Sequence, residues 1–166
     1  MEFIAADHER VLALFVRLLE ATTPGARHHL VGVLIGEFER HAAAEAATLY
    51  AALREVAGAE NLLADAAAEH DEVREAVQDL IATASDDPTW GEILAALRTC
   101  VEQHIETEEG EIFTVAEELL PAEQLRELGE AYGLLTRQSV AGSADLAGHP
   151  YITSSGLRIA VPYLRL

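Results

Sequence analysis

The chain is short of cysteine, proline, aromatic residues and positive charge. A single cysteine, Cys100, rules out an intramolecular disulfide. Five prolines and an aromatic content of 5% leave few helix breakers and few bulky rings. Basic residues number 11 against 29 acidic ones, a formal net charge of −18. Such a chain repels phosphate backbones and anionic lipid surfaces, so no nucleic acid and no membrane is expected as a partner. No apolar run approaches the roughly 20 residues of a membrane span. The opening MEFIAADHER lacks a basic region followed by an apolar one, so no secretory signal is expected, and the cytoplasm is the expected location.

What remains is alanine, leucine and glutamate. Half of the 166 residues are hydrophobic, enough for one domain with a real core. Ala, Leu and Glu lose little on entering a helix, so helices are favoured over strands. Apolar residues recur at helical spacing through most of the chain. A first helix is expected over about residues 2–20, striped by Ile4, Val11, Phe15 and Leu18. A second is expected over about 27–56, after the break ATTPGA and before Gly58, with Leu34, Phe38, Leu49 and Leu53. A third covers about 60–84, with Leu63, Ala66, Val73, Val77 and Leu80. After SDDP, with Ser and Asp suited to caps and Pro88 to a first helical turn, a fourth covers about 89–119. A short fifth helix runs from near Pro121 to near Arg137. The expected fold is all-α, an up-down-up-down antiparallel four-helix bundle with a short fifth helix and a C-terminal extension. The domain is set at residues 1–138. The extension, 139–166, is rich in Gly and Ser and then apolar. It is compatible with a strap, a dimer contact or a tail, and the expected state is a monomer or a homodimer.

Of seven histidines, His28, His29 and His149 are expected at the surface. His8, His41, His70 and His104 fall one per helix, each on an apolar stripe. About 12 residues of the first helix follow His8, and about 14 of the second precede His41. The other two connections balance as closely, with mismatches of about one turn or less at 1.5 Å per residue. In an antiparallel bundle the four imidazoles therefore share one layer. Alone, each is readily explained as a hydrogen-bonded core histidine; four at one depth are costly unless something satisfies them. Two carry a carboxylate four residues on, His41 with Glu45 and His104 with Glu108, on the same helix face. HxxxE alone is a weak signal in so acidic a chain; two such pairs on core seams of alternate helices are a strong one. Buried carboxylates need partners, and the layer offers few basic ones. A cation answers both needs. Six N/O ligands with two carboxylates able to bridge suit two ions better than one, and mixed imidazole–carboxylate ligation points to iron, with manganese and zinc as alternatives.

At these residues the chain resembles a hemerythrin-like (HHE, cation-binding) domain, over about residues 5–137. The similarity rests on DHERV in the first helix, EFERHAAAEAATLY in the second and EHDEV in the third. It continues through HIETEEGEIFTVAEELLPAEQLRELG in the fourth and fifth. The order H…HxxxE…H…HxxxE is specific; ferritin-like di-iron bundles carry ExxH pairs instead. The resemblance implies two iron ions, oxo- or hydroxo-bridged, with Glu45 and Glu108 bridging, His8 and His41 on one iron and His70 and His104 on the other. It implies H2O2, O2 or NO as the small-molecule partner.

Two departures from the oxygen carriers matter. Where they have a second histidine four residues after the third-helix one, this chain has Arg74. Their last carboxylate is an Asp five residues after its histidine; here it is Glu108, four after. One iron lacks an imidazole, as in a subgroup resembling actinobacterial hemerythrin-like proteins. On an ideal wheel Glu111 returns to within about 20° of His104, two turns on, and is a candidate for the vacancy or for supporting contacts. Glu102, Glu106 and Glu109 share another face, expected in solvent. Tyr50 is a second candidate ligand, although an ideal wheel turns it away from His41 and Glu45. Thr48 lies nearer the seam and is a candidate donor to a bound ligand. Arg74, if inward, would pair with a bridging carboxylate or an anion. The similarity implies catalase-like peroxide decomposition as the leading activity, a di-iron oxidoreductase role that the sequence leaves open. Reversible O2 or NO binding for sensing, and iron homeostasis without turnover, are the alternatives.

Overall fold

The computed structural model describes residues 1–56 and 58–143, and among them there is no strand. The helices are α1 (Glu2–Glu20), α2 (Pro24–Ala47), α3 (Leu49–Arg54), α4 (Glu60–Ala82), α5 (Trp90–Thr107), α6 (Phe113–Leu119) and α7 (Ala122–Ser143). A π-helical turn, Glu108–Ile112, joins α5 to α6 without a loop. Each expected long helix is present, but two of them are composite: α2 with α3, and α5 with the π turn and α6. α1 packs on α2 and α5, and α4 packs on α5 and α2, which closes a four-sided bundle. α7 lies across α1, α2 and α6.

The local chemistry sets the boundaries. α2 begins at Pro24 rather than near residue 27, because Thr23 Oγ1 accepts the Ala26 N–H (3.2 Å) and proline suits the first helical position. Pro24 therefore opens a helix as well as closing a loop. Pro88 does not enter α5. Asp87 accepts both the N–H and the hydroxyl of Thr89 (2.8 and 2.7 Å), and the helix starts at Trp90. Gly58 has φ +102°, a left-handed conformation that a side chain resists, and there the chain reverses between α3 and α4. α7 extends to Ser143, past the expected end near Arg137. The extension beyond that, with His149, lies outside the described residues.

The core is in two parts. One cluster gathers Leu14, Phe15, Leu18, Leu34, Leu80, Leu94 and Leu97. The other gathers Ile4, Leu49, Leu53, Ala66, Ile112 and Phe113, covered by Tyr132 of α7. Each fully buried Leu, Ile or Phe contributes about 1.5–3 kcal/mol. Between the two clusters runs a polar layer. In α1 it falls at Asp7 and His8, buried between Ile4 and Val11.

Candidate metal centre

Four helices each deliver one imidazole to this layer, and His8, His41, His70 and His104 are all buried. Ring centroids of neighbouring pairs lie 4.4 Å (His70–His104) to 6.4 Å (His41–His70) apart. Among these rings stand Glu45 and Glu108, both with no exposed surface. Glu45 lies between two histidines, with Oε1 2.8 Å from His41 Nε2 and Oε2 3.4 Å from His70 Nε2. Glu108 Oε2 lies 3.1 Å from His8 Nε2 and 3.8 Å from His104 Nε2. One donor atom each from His8, His41, Glu45, His104 and Glu108 fit within 4.8 Å of one another. His70 joins this group through its Nε2, 3.2 Å from His104 Nε2.

The carboxylate contacts are close but they are not hydrogen bonds. The four carboxylate oxygens of Glu45 and Glu108 and the Nε2 atoms of His8 and His41 are buried and make none. Unsatisfied buried carboxylates are among the costliest groups a fold can hold. Two nitrogens about 2.1 Å from a common ion, near a right angle, stand about 3 Å apart, which is the spacing found for His70 and His104. The donor set fits metal ions.

Outside the layer, three of the rings are fixed from behind. His8 Nδ1 hydrogen-bonds Glu109 Oε1 (2.7 Å), and His104 Nδ1 meets Glu69 Oε2 (3.3 Å), itself held by the Thr107 hydroxyl (2.8 Å). His41 Nδ1 contacts the Tyr132 hydroxyl (2.8 Å), which donates to Asp7 Oδ2 (2.7 Å). A carboxylate behind Nδ1 keeps the proton there and leaves Nε2 bare, the arrangement found behind metal-bound histidines. His70 is held by rings instead, edge-on to Phe38 and stacked on Tyr50.

The charges conflict without a metal. Burial, then the proximity of Glu108, pushes the Glu45 carboxyl well above its ordinary value of 4.5. Burial acts in the same sense on Glu108, but the surrounding His8, His41 and His104 rings outweigh it and hold that carboxyl down at about 2. Burial, then the charge of His104, pulls His70 to about 3, and burial first of all lowers His41 and His104. His8 alone is raised. Burial opposes this, but Glu108 and Glu109 prevail.

Several residues stand elsewhere than the sequence suggested. Glu111 is exposed and does not face the site. The π turn is underwound, so the 100° step that returned Glu111 to the His104 face fails beyond Glu108. Glu109 is exposed, as expected, yet its carboxylate also reaches His8 Nδ1, a contact the sequence did not suggest. Arg74 points outward, paired with Asp71 and Glu39. Thr48 is buried, but its hydroxyl is spent on the Ala44 carbonyl (2.7 Å). Tyr50 moves the other way. The backbone breaks at Thr48 (φ −120°, ψ −90°), which resets the wheel and turns Tyr50 into the core. Its ring stacks on His70 with centroids 6.0 Å apart, and its buried hydroxyl makes no hydrogen bond. Burial, then the charges of Glu45 and Glu108, raises that phenol above its ordinary range. Sequence reasoning missed Asp7, Glu69 and Tyr132. Asp7 does fall on the α1 stripe three residues after Ile4 and four before Val11, and Tyr132 follows Leu125 and Leu128 at the same spacing.

The sequence model of the hemerythrin HHE cation-binding domain matches residues 1–116, which include all six histidine and glutamate residues of the layer. Among solved structures, the chain is similar to a hemerythrin HHE cation-binding domain-containing protein from Mycobacterium kansasii. That likeness has a TM-score of 0.76 at 25% identity, over 86% of this chain and 88% of the other. Among curated proteins none matches. By its sequence over residues 1–116, its helical bundle and its buried His/Glu cluster, the chain belongs to the hemerythrin HHE cation-binding domain family.

Proposed function

We propose that His8, His41, His70, His104, Glu45 and Glu108 hold two iron ions, that Tyr50 completes the shell of the second, and that the pair decomposes hydrogen peroxide. The observation carrying the metal reading is the set of four buried carboxylate oxygens that make no hydrogen bond while imidazole nitrogens surround them. Glu45 reaches both His41 and His70, and Glu108 reaches both His8 and His104, so each carboxylate is suited to bridge the two histidine pairs. When bound, the iron pair supplies a two-electron exchange: two H2O2 become O2 and two H2O, one peroxide being oxidised and the other reduced.

Tyr50 favours this activity over reversible O2 binding. Its ring stacks on His70 and its hydroxyl makes no hydrogen bond, and on the helix of His70 Arg74 stands in place of a further histidine and faces away. An anionic phenolate in place of a neutral imidazole stabilises Fe(III), the state in which a reversible O2 carrier is inactive. The Tyr50 ring also belongs to the apolar cluster of Ile4, Leu49 and Ile112 that bounds the layer on one side.

The test measures O2 release from the iron-loaded protein given H2O2. Turnover above that of free iron, lost in Glu45→Ala and His104→Ala, is the expected result. A visible phenolate-to-iron band should be present and should vanish in Tyr50→Phe. Turnover no higher than free iron would sink the catalytic reading. Repeated O2 uptake and release without oxidation would replace it with reversible binding.

A further inference from the structure

The domain match ends at residue 116, before α7 begins at Ala122. Yet α7 carries a side chain to the edge of the centre. Tyr132 is 1% exposed, with its hydroxyl between His41 Nδ1 and Asp7 Oδ2, 2.8 and 2.7 Å away. Both neighbours are buried, and the other oxygen of Asp7 is paired with the Arg10 guanidinium.

Counting protons settles how this chain is polarised. A hydroxyl has one hydrogen, and a carboxylate paired with arginine only accepts. The Tyr132 hydrogen therefore goes to Asp7. Its oxygen is left to accept from His41, so His41 must carry its proton on Nδ1. The opposite tautomer has a strong competitor. Glu45 Oε1 lies 2.8 Å from His41 Nε2 and, as the ionised carboxylate, would accept a hydrogen bond from a proton placed there. A proton on Nε2 would block the atom that faces the proposed metal. The two ends of one imidazole are thus contested by Asp7 through Tyr132 and by Glu45 directly.

We propose that Tyr132 is a positioning residue: with Asp7 it holds His41 in the Nδ1–H tautomer, so that α7 completes the His8/His41 half of the metal centre. This rests on the metal reading given above and adds to it a role for a helix outside the matched domain. It also makes the two halves unequal. The hydrogen bonds of His70 and His104 described above come from helices other than α7, so loss of Tyr132 should weaken one ion and spare the other.

The experiment uses the full chain with 15N-labelled histidine. In the metal-free protein, the ring nitrogen shifts of His41 should report Nδ1–H with Nε2 bare. Tyr132→Phe should move His41 to the Nε2–H tautomer, hydrogen-bonded to Glu45. Asp7→Ala should do the same with Tyr132 still present, because the hydroxyl then donates to Nδ1. This second variant keeps the test open if the first fails to fold. Iron(II) titration against a chromophoric chelator, without oxygen, should show one of two ions bound about 10- to 100-fold more weakly in either variant. Leu128→Ala, which loosens α7 without touching the relay, should leave the tautomer and both affinities as they were.

An unchanged tautomer in both variants overturns the proposal. So does equal weakening of both ions, or the same loss in Leu128→Ala, since either would mean that α7 matters only for packing. If the wild-type chain binds no iron, the metal reading fails instead, and the tautomer result is still decided on the metal-free protein.

Discussion

Glu45 carries the conflict between stability and function in a single side chain. It has no exposed surface and no hydrogen bond, and it faces a second carboxylate that stays ionised. The sign of its effect follows from the direction of its shift. Its folded pKa lies well above the ordinary 4.5, so the metal-free fold binds this proton more tightly than the unfolded chain does. The stabilisation from that proton is complete below about pH 4.5 and is lost as the pH rises through the folded value. Glu45→Gln removes the titration and keeps the shape. In metal-free protein the variant should therefore melt with wild type near pH 4 and above it at neutral pH, by a few degrees, or about 1–2 kcal/mol. On the proposed di-iron reading the same variant should lose full iron uptake, because an amide is a poor substitute for the bridging carboxylate proposed at Glu45. Calorimetry at the two pH values, with metal analysis beside it, decides the matter. A neutral-pH melt below wild type would mean that the carboxylate is satisfied by contacts other than those described.

Helix irregularities decide which side chains reach the centre. At Thr48 and at Glu108–Ile112 the chain departs from α geometry, and at both places it delivers a residue that a regular wheel misplaces. The π turn keeps Glu108 one turn beyond His104 and still lets Ile112, Phe113 and Ala116 enter the apolar cluster of Ile4, Leu49 and Leu53. A chain one residue shorter cannot do both, since each residue of an α-helix turns it about 100°. Deleting Gly110, around which there is open space, should force a choice: Glu108 in place with α6 rotated out of the core, or α6 in place with Glu108 rotated away. Either way the deletion should cost iron or several kcal/mol of stability. A deletion variant with two irons and a wild-type melt would show that the turn is incidental. The same irregularities mark the limit of what the sequence made legible. The layer of His8, His41, Glu45, His70, His104 and Glu108 was readable because each lies on an apolar stripe, and only Glu108 touches an interruption, as the first residue of the π turn. Glu111 and Tyr50 were misplaced because each lies beyond an interruption that composition does not announce. Glu69 and Tyr132 escaped for another reason. Their partners belong to other helices, and a spacing rule within one helix cannot see across the bundle.

Across the whole molecule, a polar layer cuts the apolar core in two, and the same four helices run through both halves. In the metal-free protein that layer contributes repulsion between carboxylates and unsatisfied polar atoms where a continuous core would contribute burial. Metal at the proposed centre would reverse the balance, because ions held by the folded chain and not by the unfolded one stabilise by mass action. With free metal at about 100 times its dissociation constant, each site adds about 2.7 kcal/mol. Two sites in a domain of this size should then raise the melting temperature by on the order of 10 °C or more. Dialysis against a chelator should remove that increment, and iron(II) added back without oxygen should restore it. The gain should also be located. Amide exchange should slow most at the polar layer, around His8, His41, His70 and His104 on four separate helices. Termini and the exposed start of α2 near His28 and His29 should change little. A metal effect confined to one helix would be incompatible with a centre shared by four. An effect spread evenly along the chain would point to weak binding by the acidic surface, where a net charge of −18 attracts cations without any built site.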